Sequence, residues 1–364
     1  MKKILALLML VMLAPDGMAQ TADWQKSWDE LLAAARKEGK AVVSGPPSQQ
    51  LRQALPAAFK ERFGVTLEYL GGRSGEIATR LRAERRAGIY TVDLMLAGSQ
   101  TMATILYREA MLDPLKPALL LPDAIDGSKW KTGKLWFSDP GEEYVLRLCN
   151  TLTSTLAINT REVKPDDLHS MRDLLDPRWK GRMSFQDPTL PGSGSNQAAQ
   201  LYLEFGEEFI RRLYIDQKPM ISRDTRQLGD WLVRGTYPIS FGAVDGDVEQ
   251  LRKDGWPVAP VYYLSDWPGT TTAGFGQVAL LNQAPHPNAA KLFANWIASK
   301  EGSEILARAL KVVPARNDID ASSFLPPEMI PRPGVNYFDT YDWQFTVTTK
   351  EEVRLRMKEL LRAR

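Results

Sequence analysis

The sequence predicts an α/β protein with two lobes, each built on a sheet of largely parallel strands. The length of 364 residues is more than twice that of a typical domain, which favours two units. Strand, loop and helix patterns alternate from Trp24 to Ser99, and a second α/β block begins near Asn150.

The first block carries three loops that follow predicted strands. Apolar residues at helical spacing fill 24–35 and stop at Gly39, and short buried strands are predicted at 41–43, 65–70 and 93–97. The loops after these strands are 44–47, 71–75 and 98–99. Because ligands of open α/β sheets bind outside the carboxyl ends of the strands, these loops predict one rim of a binding site.

The second block contains a further candidate ligand loop. Residues 182–186 are predicted to form a strand, and a helix follows from 198 to 205. Between them lies the segment 188–196, which is rich in Gly, Ser and Pro. Its composition also permits a flexible linker. Its place between a strand and a helix favours a ligand loop, since free N–H groups and hydroxyls at a helix start hold anions.

The first 19 residues have the pattern of a secretory signal peptide. Lys2 and Lys3 precede an apolar run over 4–14, and small residues at 17–19 allow cleavage after Ala19. Pro15, Asp16 and Gly17 interrupt the run, which disfavours a membrane anchor. We therefore expect export to the periplasm.

Composition and charge argue against several other classes. The formal charge is +2, from 46 Lys and Arg against 44 Asp and Glu, which offers no basic footprint for nucleic acid. Cys149 is the one cysteine of the sequence and lies in an apolar stretch, so we expect a buried, inert thiol.

Signs of catalysis are weak. The sequence has no Gly-x-Ser-x-Gly elbow, no phosphate-binding loop, only two histidines and no zinc spacing. The acidic stretch 245–249 lacks the ligand order of a calcium loop. We expect no catalytic residues, no metal and no cofactor, and a secreted enzyme is the less favoured alternative.

Four segments carry a family resemblance. They are 28–43 (WDELLAAARKEGKAVV), 83–93, 173–181 (DLLDPRWKG), and 285–296 followed by 299–302. In this order they resemble the extracellular solute-binding proteins of ATP-driven (ABC) importers. The resemblance is to the branch that includes ferric-iron, thiamine, polyamine, phosphonate and sugar-phosphate binders.

The resemblance implies a type II-like periplasmic binding protein fold with two interlobe crossings, near 144–159 and 272–282. Lobe one would comprise 22–145 plus 275–320, lobe two 150–270, and a tail 321–364 would end in a charged helix packed on the body. It also implies a monomer that closes on a small-molecule ligand and is recognised by an inner-membrane ABC permease complex.

The predicted ligand-binding residues come from these loops and crossings. They are Ser44, Arg73, Ser74, Gly75 and Ser99 on lobe one, Thr151 and Ser154 in the first crossing, Ser193, Gly194, Ser195 and Asn196 on lobe two, and Arg223 and Asp245, where the resemblance expects further lobe-two loops.

The predicted ligand is a small organic anion, a carboxylate or a phosphorylated compound. Two helix starts and two arginines would surround it with positive potential. Ferric iron is the alternative. Iron-binding relatives use paired tyrosines, whereas the corresponding stretch 240–246 has none, and Tyr262-Tyr263 comes later in the chain.

Overall fold

The computed structural model describes residues 16–190, 192–242, 245–267 and 269–362. Most of the predicted signal peptide, residues 1–15, lies outside the described ranges, and the first helix begins at Asp16. Within the described residues, no helix combines the length and the apolar character needed to cross a membrane.

Helices and strands alternate through most of the chain, as the sequence predicts. The helices are α1 (Asp16–Glu38), α2 (Gln49–Phe63), α3 (Ser74–Arg86), α4 (Ser99–Thr101), α5 (Pro122–Ile125), α6 (Ser193–Arg211), α7 (Thr225–Arg234), α8 (Asp245–Lys253), α9 (Pro287–Ala298), α10 (Lys300–Leu310) and α11 (Lys350–Arg362). The strands are β1 (Lys40–Gly45), β2 (Thr66–Gly71), β3 (Leu94–Ala97), β4 (Leu112–Asp113), β5 (Leu146–Arg147), β6 (Thr151–Thr153), β7 (Leu156–Asn159), β8 (Met183–Gln186), β9 (Met220–Ser222), β10 (Ile239–Phe241), β11 (Val258–Val261), β12 (Thr270–Thr272), β13 (Gln277–Leu281) and β14 (Phe338–Asp339).

Lobe one is built on a sheet with the order β2-β1-β3-β13-β4, and β5 also pairs with β13. β1 runs parallel to β2 and β3, while β13 is antiparallel to β3. The apolar run of β1 is buried, and the ring of Phe59 in α2 packs on the rings of Phe293 and Trp296 in α9. Ser48 accepts the backbone N–H of Leu51 and so caps the start of α2.

Lobe two is built on a second sheet with the order β11-β7-β10-β8-β9. β8 is parallel to both β9 and β10, whereas β7 is antiparallel to its neighbours. Phe185 packs on Phe241 at a ring distance of 4.7 Å and on Tyr214 at 4.8 Å. These apolar residues are buried because both faces of the sheet are covered.

A small third sheet, β14-β12-β6, lies where the chain passes between the lobes. The chain leaves lobe one after β5 and enters lobe two through β6. It returns through β12, which pairs antiparallel with β6. The return strand β12 ends at Thr272, where the predicted crossing 272–282 begins, and β13 belongs to the sheet of lobe one.

The end of the chain packs on lobe two through α11. Val353 and Met357 are buried against the apolar core of this lobe. On the surface, Arg356 pairs with Glu207 of α6 at 2.6 Å. The tail helix therefore contacts α6.

Candidate functional site

A cavity of about 320 Å³ lies between the start of α6, the strands of the third sheet and the carboxyl end of β10. This is the edge at which ligands bind in open α/β sheets. It is lined by Thr153, Ser154, Thr155, Leu156, Ser193, Asn196, Gln197, Gln200, Leu201, Gly242, Trp267, Thr270, Thr272 and Thr340.

The first turn of α6 forms one wall of the cavity. The hydroxyl of Ser195 donates to the Gly192 carbonyl at 3.0 Å and accepts the Gly192 N–H at 3.2 Å, which fixes the helix start. A Cβ on Gly194 would lie 2.6 Å from the carbonyl oxygen of Asp187, so only glycine fits there. This packing places Ser193 and Asn196 at the cavity.

Three threonines on or beside the third sheet form the opposite wall, and each already donates its hydroxyl proton to a protein acceptor. Thr153 donates to the carbonyl of Thr270 at 3.2 Å. Thr270 in turn donates to Oε1 of Gln200 at 2.7 Å. Thr340 donates to the carbonyl of Thr271 at 3.1 Å. Since a hydroxyl has one proton, these groups offer only lone pairs to a ligand.

Two polar atoms at the cavity have no hydrogen-bond partner among the residues that the structure describes: Nε1 of Trp267 and Oδ1 of Asn196. Trp267 is 2% exposed, and its ring stacks on Phe338 at 6.2 Å. A buried indole N–H usually finds a partner, because an unmade hydrogen bond costs about 1–3 kcal/mol. A ligand acceptor would satisfy it.

The described lining of the cavity carries no charged side chain. Arg223 is exposed and bonds to Asp187 at 3.1 Å. Burial works against ionisation of Asp187, but hydrogen bonds from Thr189 and Arg223 outweigh it and hold the pKa of this carboxyl below its usual range. Among the described lining residues, positive potential therefore comes from the start of α6 rather than from arginines.

The structure brings together three of the predicted ligand residues, Ser154, Ser193 and Asn196, as lining of the cavity. Gly194 and Ser195 lie in the same helix turn, just beneath them. Thr151 accepts the Val313 N–H at 3.0 Å. Asp245 begins α8, and its side chain lies outside the described part.

The predicted residues of lobe one lie away from this cavity. Ser44 is buried and donates to the carbonyl of Leu70 at 3.3 Å. Arg73 is exposed beside Glu76, and Ser74 and Gly75 follow it in α3. Ser99 begins α4, where its hydroxyl accepts the hydroxyl of Thr346 at 3.5 Å.

Several lining residues were not predicted from the sequence. Gln197 and Gln200 lie in α6, Trp267, Thr270 and Thr272 lie on the return path of the chain, and Thr340 follows β14. The polar run 270–272 was a visible signal, because three successive threonines are unusual in a buried segment. Nothing in the sequence around Thr340 indicated that this residue lines the cavity.

The tyrosine considered for iron makes other contacts. The hydroxyl of Tyr263 lies 3.1 Å from that of Tyr337, and the guanidinium of Arg332 lies 3.8 Å from the centre of the Tyr263 ring. Burial, followed by the hydrogen bond to Tyr337, raises the pKa of Tyr263 to about 12. The hydroxyl of Tyr263 is thus engaged with Tyr337, and its ring is in contact with Arg332.

Comparison with known proteins agrees with this architecture. An uncharacterised protein of Haemophilus influenzae is 23% identical over 285 residues, which cover 74% of this chain and 76% of that protein. Iron-bound HitA from Pseudomonas aeruginosa has a TM-score of 0.60 at 18% identity, covering 89% of this chain and 98% of its own. AfuA from Actinobacillus pleuropneumoniae, with fructose 6-phosphate bound, has a TM-score of 0.59 at 16% identity, covering 88% and 97%.

These likenesses confirm the predicted two-lobed fold of periplasmic binding proteins. The family model of bacterial extracellular solute-binding proteins matches residues 54–329, more than half of the chain. The chain therefore belongs to the bacterial extracellular solute-binding proteins, which are binding proteins and not enzymes.

Proposed function

We propose that this protein captures a small, hydroxylated organic anion, a carboxylate or a phosphorylated compound, and delivers it to an inner-membrane ABC permease. The observation that carries the proposal is the cavity at the start of α6, where the N–H of Trp267 and the oxygen of Asn196 lack protein partners. A bound solute would complete the hydrogen bonding of both groups.

The anionic group is assigned to the start of α6. The helix begins at Ser193 directly beside the cavity, so its free N–H groups and positive dipole end favour negative charge. The indole N–H of Trp267 is a donor and cannot accept, which also suits a carboxylate or phosphate oxygen. An arginine is not needed for this kind of anion site.

The remainder of the ligand is assigned to the threonine wall. Thr153, Thr270 and Thr340 donate their protons to protein acceptors and present lone pairs. A ligand must therefore donate hydrogen bonds to this wall, as the hydroxyls of a sugar acid or a phosphosugar do. AfuA, which has the same fold, holds fructose 6-phosphate.

The family and the predicted signal peptide support the part of the proposal in which the solute is delivered to a permease. Export after cleavage at Ala19 would place a monomer in the periplasm, where the bound, closed form presents both lobes to a permease. The two crossing strands β6 and β12, which join the lobes, suit this movement.

A thermal-shift panel of paired compounds tests the ligand class. Fructose 6-phosphate is compared with fructose, gluconate with sorbitol, and ferric citrate, iron-free citrate and spermidine complete the panel. A ligand at 100 times its dissociation constant stabilises the fold by about 2.7 kcal/mol, a shift of several degrees. We expect an anion to stabilise the protein more than its neutral partner. Stabilisation by spermidine alone, by ferric citrate but not by iron-free citrate, or by both members of a pair equally would overturn the proposal.

A further inference from the structure

The segment 338–350, called the C-terminal strap below, crosses from the third sheet to lobe one and ends in α11. It follows the part of the chain that the family model matches, 54–329. Its first two residues form β14, which extends the third sheet by pairing parallel with β12. The strap thus begins between the lobes.

A buried ion pair fixes this beginning. The guanidinium of Arg147 bonds to both carboxylate oxygens of Asp339, at 2.6 Å and 3.0 Å. Arg147 is 1% exposed and lies between the rings of Trp136 and Tyr341, at 4.1 Å and 5.2 Å from their centres. Bidentate pairing with a stacked arginine holds the strap in one geometry.

The strap then covers the third rim loop of lobe one. Tyr341 donates its hydroxyl to the carbonyl of Gly274, and this hydroxyl lies 3.2 Å from where a Cβ of Gly98 would stand. The hydroxyl of Thr346 is shared between Ser99 at 3.5 Å and the carbonyl of Thr340 at 3.4 Å, and Lys350 donates to the side chain of Gln100. The strap therefore contacts Ser99, a rim position expected to contact a ligand.

The same segment reaches the cavity and lobe two. Thr340 is part of the cavity lining. Phe345 packs on Phe338 at a ring distance of 4.9 Å within the core of lobe two. Beyond the strap, Arg354 of α11 donates to the carbonyl of Thr189 at 2.9 Å. One continuous piece of chain thus contacts both lobes and the cavity.

We infer that the C-terminal strap is a wall of the ligand site that covers the third rim loop of lobe one and ties the two lobes together, with Thr340 as a residue that determines specificity. This inference deepens the proposed function and rests on it for the role of Thr340. The tie between the lobes does not depend on which solute is bound.

Hydrogen exchange of the full chain without ligand tests the tie. The double variant Tyr341→Phe, Thr346→Val removes two hydroxyls that face lobe one and keeps the shape of both side chains. We expect the amides of 98–107 to exchange about tenfold faster, because the variant removes the hydrogen bond to Ser99 and the hydroxyl that packs against Gly98. Thr348→Val, in the same strap, is the matched control and should leave exchange unchanged. Unchanged exchange in the double variant would overturn the tie, whether or not any compound binds.

The role of Thr340 is tested separately, by measuring the affinity for the panel compound that stabilises the wild type most. Thr340→Val should weaken binding of that compound about tenfold, as expected for one hydrogen bond in a cavity. Thr348→Val should leave its affinity unchanged. Equal affinities of Thr340→Val and the wild type would remove Thr340 from the site. If no panel compound stabilises the protein while the double variant exchanges faster at 98–107, the proposed ligand class is wrong and the connection between the lobes through the strap is supported.

Discussion

Arg147 and Asp339 lie 192 positions apart in the sequence and form a two-point ion pair at the junction of the lobes. Asp339→Asn would leave the guanidinium of Arg147 buried without a counter-charge. We expect a loss of about 2–3 kcal/mol in the free energy of unfolding, less than for a fully buried pair because the side chain of Asp339 is one-third exposed. Urea unfolding measures it. The control is Arg356→Ala, which breaks an exposed pair and should cost under about 1 kcal/mol. Equal losses of unfolding free energy in the two variants would show that the ion pair at the junction stabilises the fold no more than an exposed pair does.

Trp267→Phe tests the unpartnered indole N–H at the cavity. The variant keeps an aromatic ring against Phe338 but cannot donate, so affinity for the best panel compound should fall about tenfold. Trp296 offers a matched control, since its N–H also lacks a protein partner but lies in the core of lobe one. Trp296→Phe should lower stability and leave affinity intact. Calorimetric titration that finds equal affinities for both variants would exclude Trp267 from binding.

Asp187 predicts a dependence of stability on pH. Its pKa is lowered in the folded protein, because hydrogen bonds from Thr189 and Arg223 outweigh the opposing effect of burial. The stabilisation is therefore complete above the usual aspartate pKa of about 4 and is lost as the pH falls through the folded value. Asp187→Asn should lower the unfolding free energy at pH 7, and the difference from the wild type should shrink below pH 4.

Urea unfolding between pH 3 and pH 8 measures this difference. Asp230→Asn, an exposed position on α7, is the control and should change the unfolding free energy at pH 7 by less than about 0.5 kcal/mol. A difference for Asp187→Asn that is the same at pH 3 and pH 7 would contradict the prediction.

Cys149 should be chemically inert in the folded protein. The structure confirms that the thiol is buried, and burial raises its pKa to about 12. Its sulfur also donates to the carbonyl of Ala273 at 3.1 Å. Labelling at pH 8 should therefore be slow in buffer and fast in urea. Ser154→Cys places a thiol in the cavity, so it should label quickly and be protected by ligand. Rapid labelling of Cys149 in buffer would show that the junction of the lobes opens.

The sequence predicts the local parts of the fold well because they depend on short-range patterns. The loop before α6 lies between a predicted strand and helix, and its residues Ser193 and Asn196 do line the cavity. Periodicity could not place Thr340 there, because that position depends on the pairing of β14 with β12. For the same reason, the contact of Ser99 with Thr346, 247 positions later, had no signal.

The pairing of Arg147 with Asp339 also has a consequence for how the molecule is made. A chain is synthesised from its N-terminus, so Asp339 is added 192 residues after Arg147. Until then the cavity lacks Thr340, and the arginine lacks its counter-charge. A partly made chain therefore has an incomplete cavity, and the cavity is completed only by residues that follow the family-matched part, 54–329.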